Sequence, residues 1–112
     1  MPVIAIADIH GISGRRAELS ALLARTEHQV RGLPGSRRYA FASRVEAPDE
    51  FVLLSVWDSQ AAMDAYHRSD AFADYQHALH GLLARPSEMT VYAVVDSVRP
   101  IPGGLPDPRD AD

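Results

Sequence analysis

The order of apolar runs and helical stripes predicts an α+β fold, a four-stranded antiparallel sheet with helices on one face. Three observations lead there. Four short segments, 3–9, 37–45, 51–57 and 89–98, carry apolar or alternating patterns, which suit pleated, partly buried strands. Between the first two, Leu19, Leu22, Leu23 and Val30 recur at the spacing of one helix face. Between the last two, a second helical stretch is interrupted by a fresh start signal at Ser69 and Asp70.

In chain order, the first strand reads VIAIADI and is apolar except for Asp8. Gly11-Ile12-Ser13-Gly14 forms the turn after it, and Ser13 is the expected N-cap of a helix over 15–31. Gly32 suits the position just past a helix end, and Pro34 forbids continuation. In the second strand Tyr39, Phe41 and Ser43 alternate with Arg38, Ala40, Ala42 and Arg44. Pro48-Asp49-Glu50 reads as the turn of a long hairpin into the third strand, FVLLSVW. Asp58 or Ser59 can then cap a helix built from Ala61, Ala62, Met63, Ala65 and Tyr66. After the break, Phe72, Tyr75, Leu79, Leu82 and Leu83 extend a helical stripe up to Pro86, before the fourth strand, MTVYAVVDSV. Residues 1–98 therefore read as one domain. Residues 99–112 hold four of the eight prolines and read as a tail, with 101–112 expected to be dispensable for folding unless the tail is laid as an arm on a partner.

The order β-α-β-β-α-β is the ferredoxin-like arrangement, with its second helix split. Helices on one side leave the other face of the sheet bare. That face is expected to carry Ile4, Ile6, Tyr39 or Phe41, and residues of the fourth strand. A patch of that kind is rare on monomers, so the chain is expected to form a homodimer through it.

Composition removes several classes of function. There is no cysteine, which excludes disulfides, thiolate nucleophiles and Cys-ligated metal sites. No apolar run reaches the ~20 residues needed to span a bilayer, so no membrane association is expected and the location is read as cytoplasmic. The net charge is −4 and the arginines are scattered, which argues against nucleic acid as a partner. His77 and His80 stand about one helical turn apart, but no third ligand accompanies them, and no metal is expected. Phosphate loops, dinucleotide fingerprints and Ser-His-Asp patterns are absent from the sequence.

A spread-out pattern runs along the middle of the chain. It comprises Pro34-Gly35 with Tyr39; Pro48 with Phe51, Leu53, Trp57 and Ser59; and Ala62 with Tyr66-His67, Ser69 and Ala71-Phe72. The pattern resembles the antibiotic biosynthesis monooxygenase (ABM) domain, and the likeness covers 3–98. The resemblance implies a ferredoxin-like fold paired into a dimeric α/β barrel. It also implies oxidation of quinols, anthrones or related aromatic polyketides by molecular oxygen, without metal or flavin. Many members have a carboxylate two positions before the Trp, where this chain has Ser55. A related haem-degrading branch uses an Asn on the first strand, a Trp in the following helix and a His ligand. Here those places hold Ala7 or Asp8, then Tyr66, then Tyr75 or Gln76 with His77 adjacent.

The expected site lies between the sheet and the broken helix. His67 matches the histidine common in the monooxygenase branch, and a neutral imidazole can take a proton from a phenol or hydroquinone. Asp8, a carboxylate inside an apolar strand, is the second candidate base, or an ion-pair partner across a dimer. Trp57, Tyr66 and Tyr75 are expected to wall the pocket, with Tyr39 and Phe72 completing the substrate-binding set. No cofactor is expected, only a small aromatic substrate and oxygen. The alternatives are a dimeric module that binds a small hydrophobic ligand without turnover, and a haem-degrading enzyme.

Overall fold

The computed structural model describes residues 1–95. The expected tail, and residues 96–98 of the expected fourth strand, lie outside them. The elements are β1 (Val3–Gly11), α1 (Arg16–Arg31), β2 (Ser36–Arg44), β3 (Ala47–Trp57), α2 (Gln60–His67), α3 (Asp70–His80) and β4 (Leu83–Ala93). The strands form one antiparallel sheet in the order β2-β3-β1-β4. This is the ferredoxin-like fold, with its second helix in two pieces.

Strand periodicity divides β1 cleanly. Val3, Ala5, Ala7 and Ile9 are buried under the helices, and opposite them across the ladder stand Trp57, Ser55, Leu53 and Phe51. From α1, Leu19, Leu22, Leu23 and Val30 close the core; from α2 and α3, Met63, Tyr66, Tyr75 and Leu79 do so. Ile4, Ile6 and Asp8 alternate to the other face, opposite Val56, Leu54 and Val52.

Several local expectations need correction. Ser13 does not cap α1. The N-cap is Arg15, which makes no side-chain capping bond but is held by ion pairing with Glu18 at 2.6 Å. Pro48, Asp49 and Glu50 belong to β3, and the turn is the two residues Val45 and Glu46. Leu82 and Leu83 are not helical: α3 ends at His80 with Gly81 as its C-cap, and β4 starts at Leu83 instead of Met89. Tyr39 and Phe41 both belong to the helix-covered side, where they oppose Ser55 and Leu53, and Tyr39 is buried.

The broken helix has a clear local cause. The side chain of Ser59 caps α2 by accepting from the Ala62 amide at 3.1 Å. Ser69 caps α3 by accepting from the Phe72 amide at 3.2 Å, while its own hydroxyl donates to the Tyr66 carbonyl at 2.6 Å. One serine thus serves orphan groups on both sides of the break. Gly35 fixes where this unit sits. Its φ is +83°, and a Cβ there would lie 2.6 Å from the Ala62 Cβ. Only glycine lets the loop after α1 lie against α2.

Candidate functional site

Of the spaces that flank the broken helix, two bear on the expected pocket, and these two share no lining residue. The inner one, about 110 Å³, lies between the sheet and α3. Its floor includes Ala7, Tyr39, Leu53 and Ser55; its walls include His67, Phe72, Tyr75 and Leu79; Ser87 and Met89 line it from β4. The outer groove, about 530 Å³, runs between the loop after α1 and the far side of α2. Leu33, Pro34, Gly35, Trp57, Ala62, Ala65 and Tyr66 line it.

The expected pocket is therefore divided. His67, Tyr75, Tyr39 and Phe72 meet on the inner cavity, as the helix break requires. Trp57 and Tyr66 line the groove instead. The reason is packing: Trp57 is 1% exposed and its ring stacks on Tyr66 at 5.6 Å, so the pair forms the partition between the two spaces. Asp8 is separated more completely. It is exposed on the face away from the helices, beside His10, Glu50 and Arg85. It does not share a cavity with His67, so it is not placed to act as a base on the same substrate.

Three physical features define the inner cavity. The first is a half-buried imidazole. Burial pushes the His67 pKa down, and nearby Asp64 only partly offsets this, so the ring is neutral at pH 7 and can accept a proton. Its ring lies 4.7 Å from that of Phe72, and its place at the end of α2 is set by the Ser69 turn. The second is a pair of phenols held protonated. Burial raises Tyr39, aided by the proximity of Tyr66 and Tyr75, and burial likewise raises Tyr75, with Tyr66 adding to it. Both therefore offer O–H donors and cannot serve as bases near neutrality. The third is Ser55, which is 2% exposed and donates its hydrogen to the Ala5 carbonyl at 3.2 Å. Its remaining lone pairs can accept a hydrogen bond. In the sequence Ser55 stands out only for the carboxylate it replaces. Its position on the inward-facing parity of β3, between Leu53 and Trp57, was the available signal for a floor residue.

A largely apolar space with one neutral base, two phenol donors, the Ser55 acceptor and the polar side chains of Gln76 and Ser87 suits a small aromatic molecule with hydroxyl groups. Among the described residues no group of three potential ligands could hold a metal ion, and no helix is long and apolar enough to cross a membrane. His77 and His80 are exposed and stand in the last turn of α3.

Fold and cavity together define an α+β protein with a small aromatic-lined chamber beside a split helix. The chain belongs to the antibiotic biosynthesis monooxygenase family, whose sequence model matches residues 2–78. A protein of Mycobacterium tuberculosis of known structure is similar at 29% identity, with a TM-score of 0.79 over 88% of this chain and 100% of that one. A provisionally assigned antibiotic biosynthesis monooxygenase from Deinococcus radiodurans shares the fold, at 20% identity and a TM-score of 0.81, over 88% of this chain and 98% of that one. An uncharacterised Synechocystis protein is 24% identical over 96 residues, 86% of this chain. The chain spans 65% of the length of that curated relative.

Proposed function

We propose that the chain is a monooxygenase that oxidises a small quinol- or polyketide-like aromatic substrate with molecular oxygen, the substrate itself supplying the electrons. One observation carries this reading: His67, kept neutral by burial, lines the same small, mainly apolar cavity as Tyr39, Tyr75 and Ser55. His67 takes the hydroxyl proton as the substrate enters, and the resulting phenolate is electron-rich enough to pass an electron to oxygen. Recombination at a ring carbon forms a C–O bond and gives a hydroperoxide after protonation. Loss of water, with the O–O bond breaking, leaves a new oxygen on the ring. For benzene-1,4-diol the reaction balances without an external reductant: the diol and dioxygen, one molecule of each, give one molecule of hydroxy-1,4-benzoquinone and one of water. Tyr39 and Tyr75 remain protonated and orient the substrate oxygens. Trp57 and Tyr66 act from behind, by holding the wall.

A second reading, a dimeric module that binds a small hydrophobic ligand without turnover, draws on Ser55. The hydroxyl is tied to the Ala5 carbonyl and brings no carboxylate to the floor. The haem-degrading alternative is not favoured by the histidine that the resemblance would use as ligand, because His77 is exposed and lines neither cavity. Oxygen uptake across a panel of hydroquinones and anthrones separates the first two readings. Stoichiometric uptake with a hydroxylated product supports the enzyme; saturable binding without uptake across the panel supports the module.

A further inference from the structure

We propose that the inner cavity admits a single aromatic ring, so that the ligand class is a monocyclic dihydroxybenzene and not a fused two- or three-ring polyketide. The proposal narrows the functional reading above and rests on it for the identity of the reaction chamber. Its basis is geometric.

Five rings close into a loop beside the cavity. Tyr39 lies 5.4 Å from Phe41, Phe41 6.4 Å from Tyr75, and Tyr75 6.2 Å from Phe72. Phe72 lies 5.2 Å from Tyr66, and Tyr66 returns to Tyr39 at 6.2 Å. Each ring touches two others in edge or tilted geometry, the arrangement aromatic pairs prefer. No ring can swing aside without giving up two such contacts. The wall of the cavity is therefore braced, and its volume is a property of the packing more than of one rotamer.

That volume is about 110 Å³. A cavity of about 150 Å³ lined by apolar side chains takes up one benzene ring. The space here is smaller still, so a single ring takes up all of it with its hydroxyls reaching toward the partly open mouth, and a fused second ring has no room unless the loop opens. The larger groove offers no extension, since the stacked Trp57 and Tyr66 lie on its side and the two spaces share no lining residue. Beside Gln76 and Ser87, two acceptors in the lining suit a pair of hydroxyls. His67 can accept from one, and Ser55, whose own hydrogen is committed to Ala5, can accept from another.

The test uses the full chain and two probes that do not depend on turnover, resorcinol and 1,3-dihydroxynaphthalene. Binding is followed by NMR titration of the His67 ring resonances. Resorcinol is expected to bind at least about tenfold more tightly than the naphthalene diol, although the latter is the more hydrophobic; tenfold in affinity is about 1.4 kcal/mol. In Phe72→Ala, which removes one ring of the loop, the order is expected to reverse; Phe72→Leu makes the same test if the alanine variant does not fold. Equal or tighter binding of the naphthalene diol by the parent chain overturns the proposal, as does a His67 resonance that neither probe moves. Oxygen uptake with benzene-1,4-diol and naphthalene-1,4-diol is measured in parallel. Ring-selective binding with no uptake from either defeats the oxygenase reading and leaves the size limit standing.

Discussion

At His67 the chemistry depends on keeping the imidazole neutral. Burial lowers its pKa below the ordinary value, so the base form persists further into the acid range than for a free histidine. Turnover is expected to fall only as pH drops through that lowered value. Stability follows with a definite sign. Between the unfolded pKa near 6.5 and the lower folded value, the unfolded chain binds more protons, so folding weakens as pH falls through that window. Above it His67 contributes no pH dependence. His67→Ala is expected to lower turnover by about 10²–10⁴-fold, with part of the loss recovered at high pH, where the substrate ionises unaided. It is also expected to flatten the acid limb of the stability curve. Full activity in the variant, on a substrate that the parent oxidises, would remove His67 as the base. This residue was legible in the sequence through its match to the histidine of the resembled family, and its place beside a helix break followed from its position two residues before the Ser69 start signal. Asp8 was not legible. Both faces of β1 carry isoleucine, alanine or valine, so alternation alone could not say which parity faced the helices. The buried face became distinguishable only once the register with Trp57, Ser55 and Leu53 was known.

Among the elements, the join of α2 and α3 matters most, because it sets His67 against Phe72. Ser69→Ala removes both the cap of α3 and the bond to the Tyr66 carbonyl. It is expected to cost about 1 kcal/mol, seen as a melting temperature lower by about 4–8 °C, with turnover reduced as well. Ser69→Thr, which keeps the oxygen, should restore most of both. Gly35→Ala tests the opposite wall. Its positive φ and the 2.6 Å approach to Ala62 predict a loss of at least about 1 kcal/mol; a variant as stable as the parent would show that the loop can back away from α2. The split helix could be read from two serine start signals. The end of α3 could not, since Leu79, Leu82 and Leu83 continue a helical spacing through the chain's change of direction. Gly81 was the local signal, and Pro86 is tolerated because β4 is an edge strand of this sheet. The hairpin turn at Val45 and Glu46 holds no Gly, Asn or Asp, the residues that announce two-residue turns. The neighbouring Pro48-Asp49 carries the stronger turn signal and yet lies in the strand.

For the whole molecule, the face of the sheet turned away from the helices decides the state of assembly. Ile6, Val52 and Leu54 stand there 36–39% exposed, and Tyr92, opposite Ile4, is 52% exposed. They adjoin one another across β4, β1 and β3, so the exposure is one contiguous patch and not scattered side chains. Toward one end the same face turns polar: Asp8 is followed by His10, which pairs with Glu50 at 2.5 Å and lies 3.2 Å from Arg85. An apolar centre with mixed charges at its edge can complement a second copy of itself through a two-fold axis. A homodimer through this face is expected to bury more than about 2,000 Å² in total, the scale of obligate pairs. Leu54 lies centrally, between Ile6 and Ala40 on its neighbouring strands. Leu54→Arg should therefore shift the sedimenting species from dimer to monomer and lower the melting temperature, because an obligate partner stabilises by mass action. The inner cavity lies on the opposite side of the sheet, so the variant's affinity for a one-ring ligand should change little once it is folded. A parent chain that sediments as a monomer at micromolar concentration would refute the dimer. The patch would then have to be accounted for by some other cover.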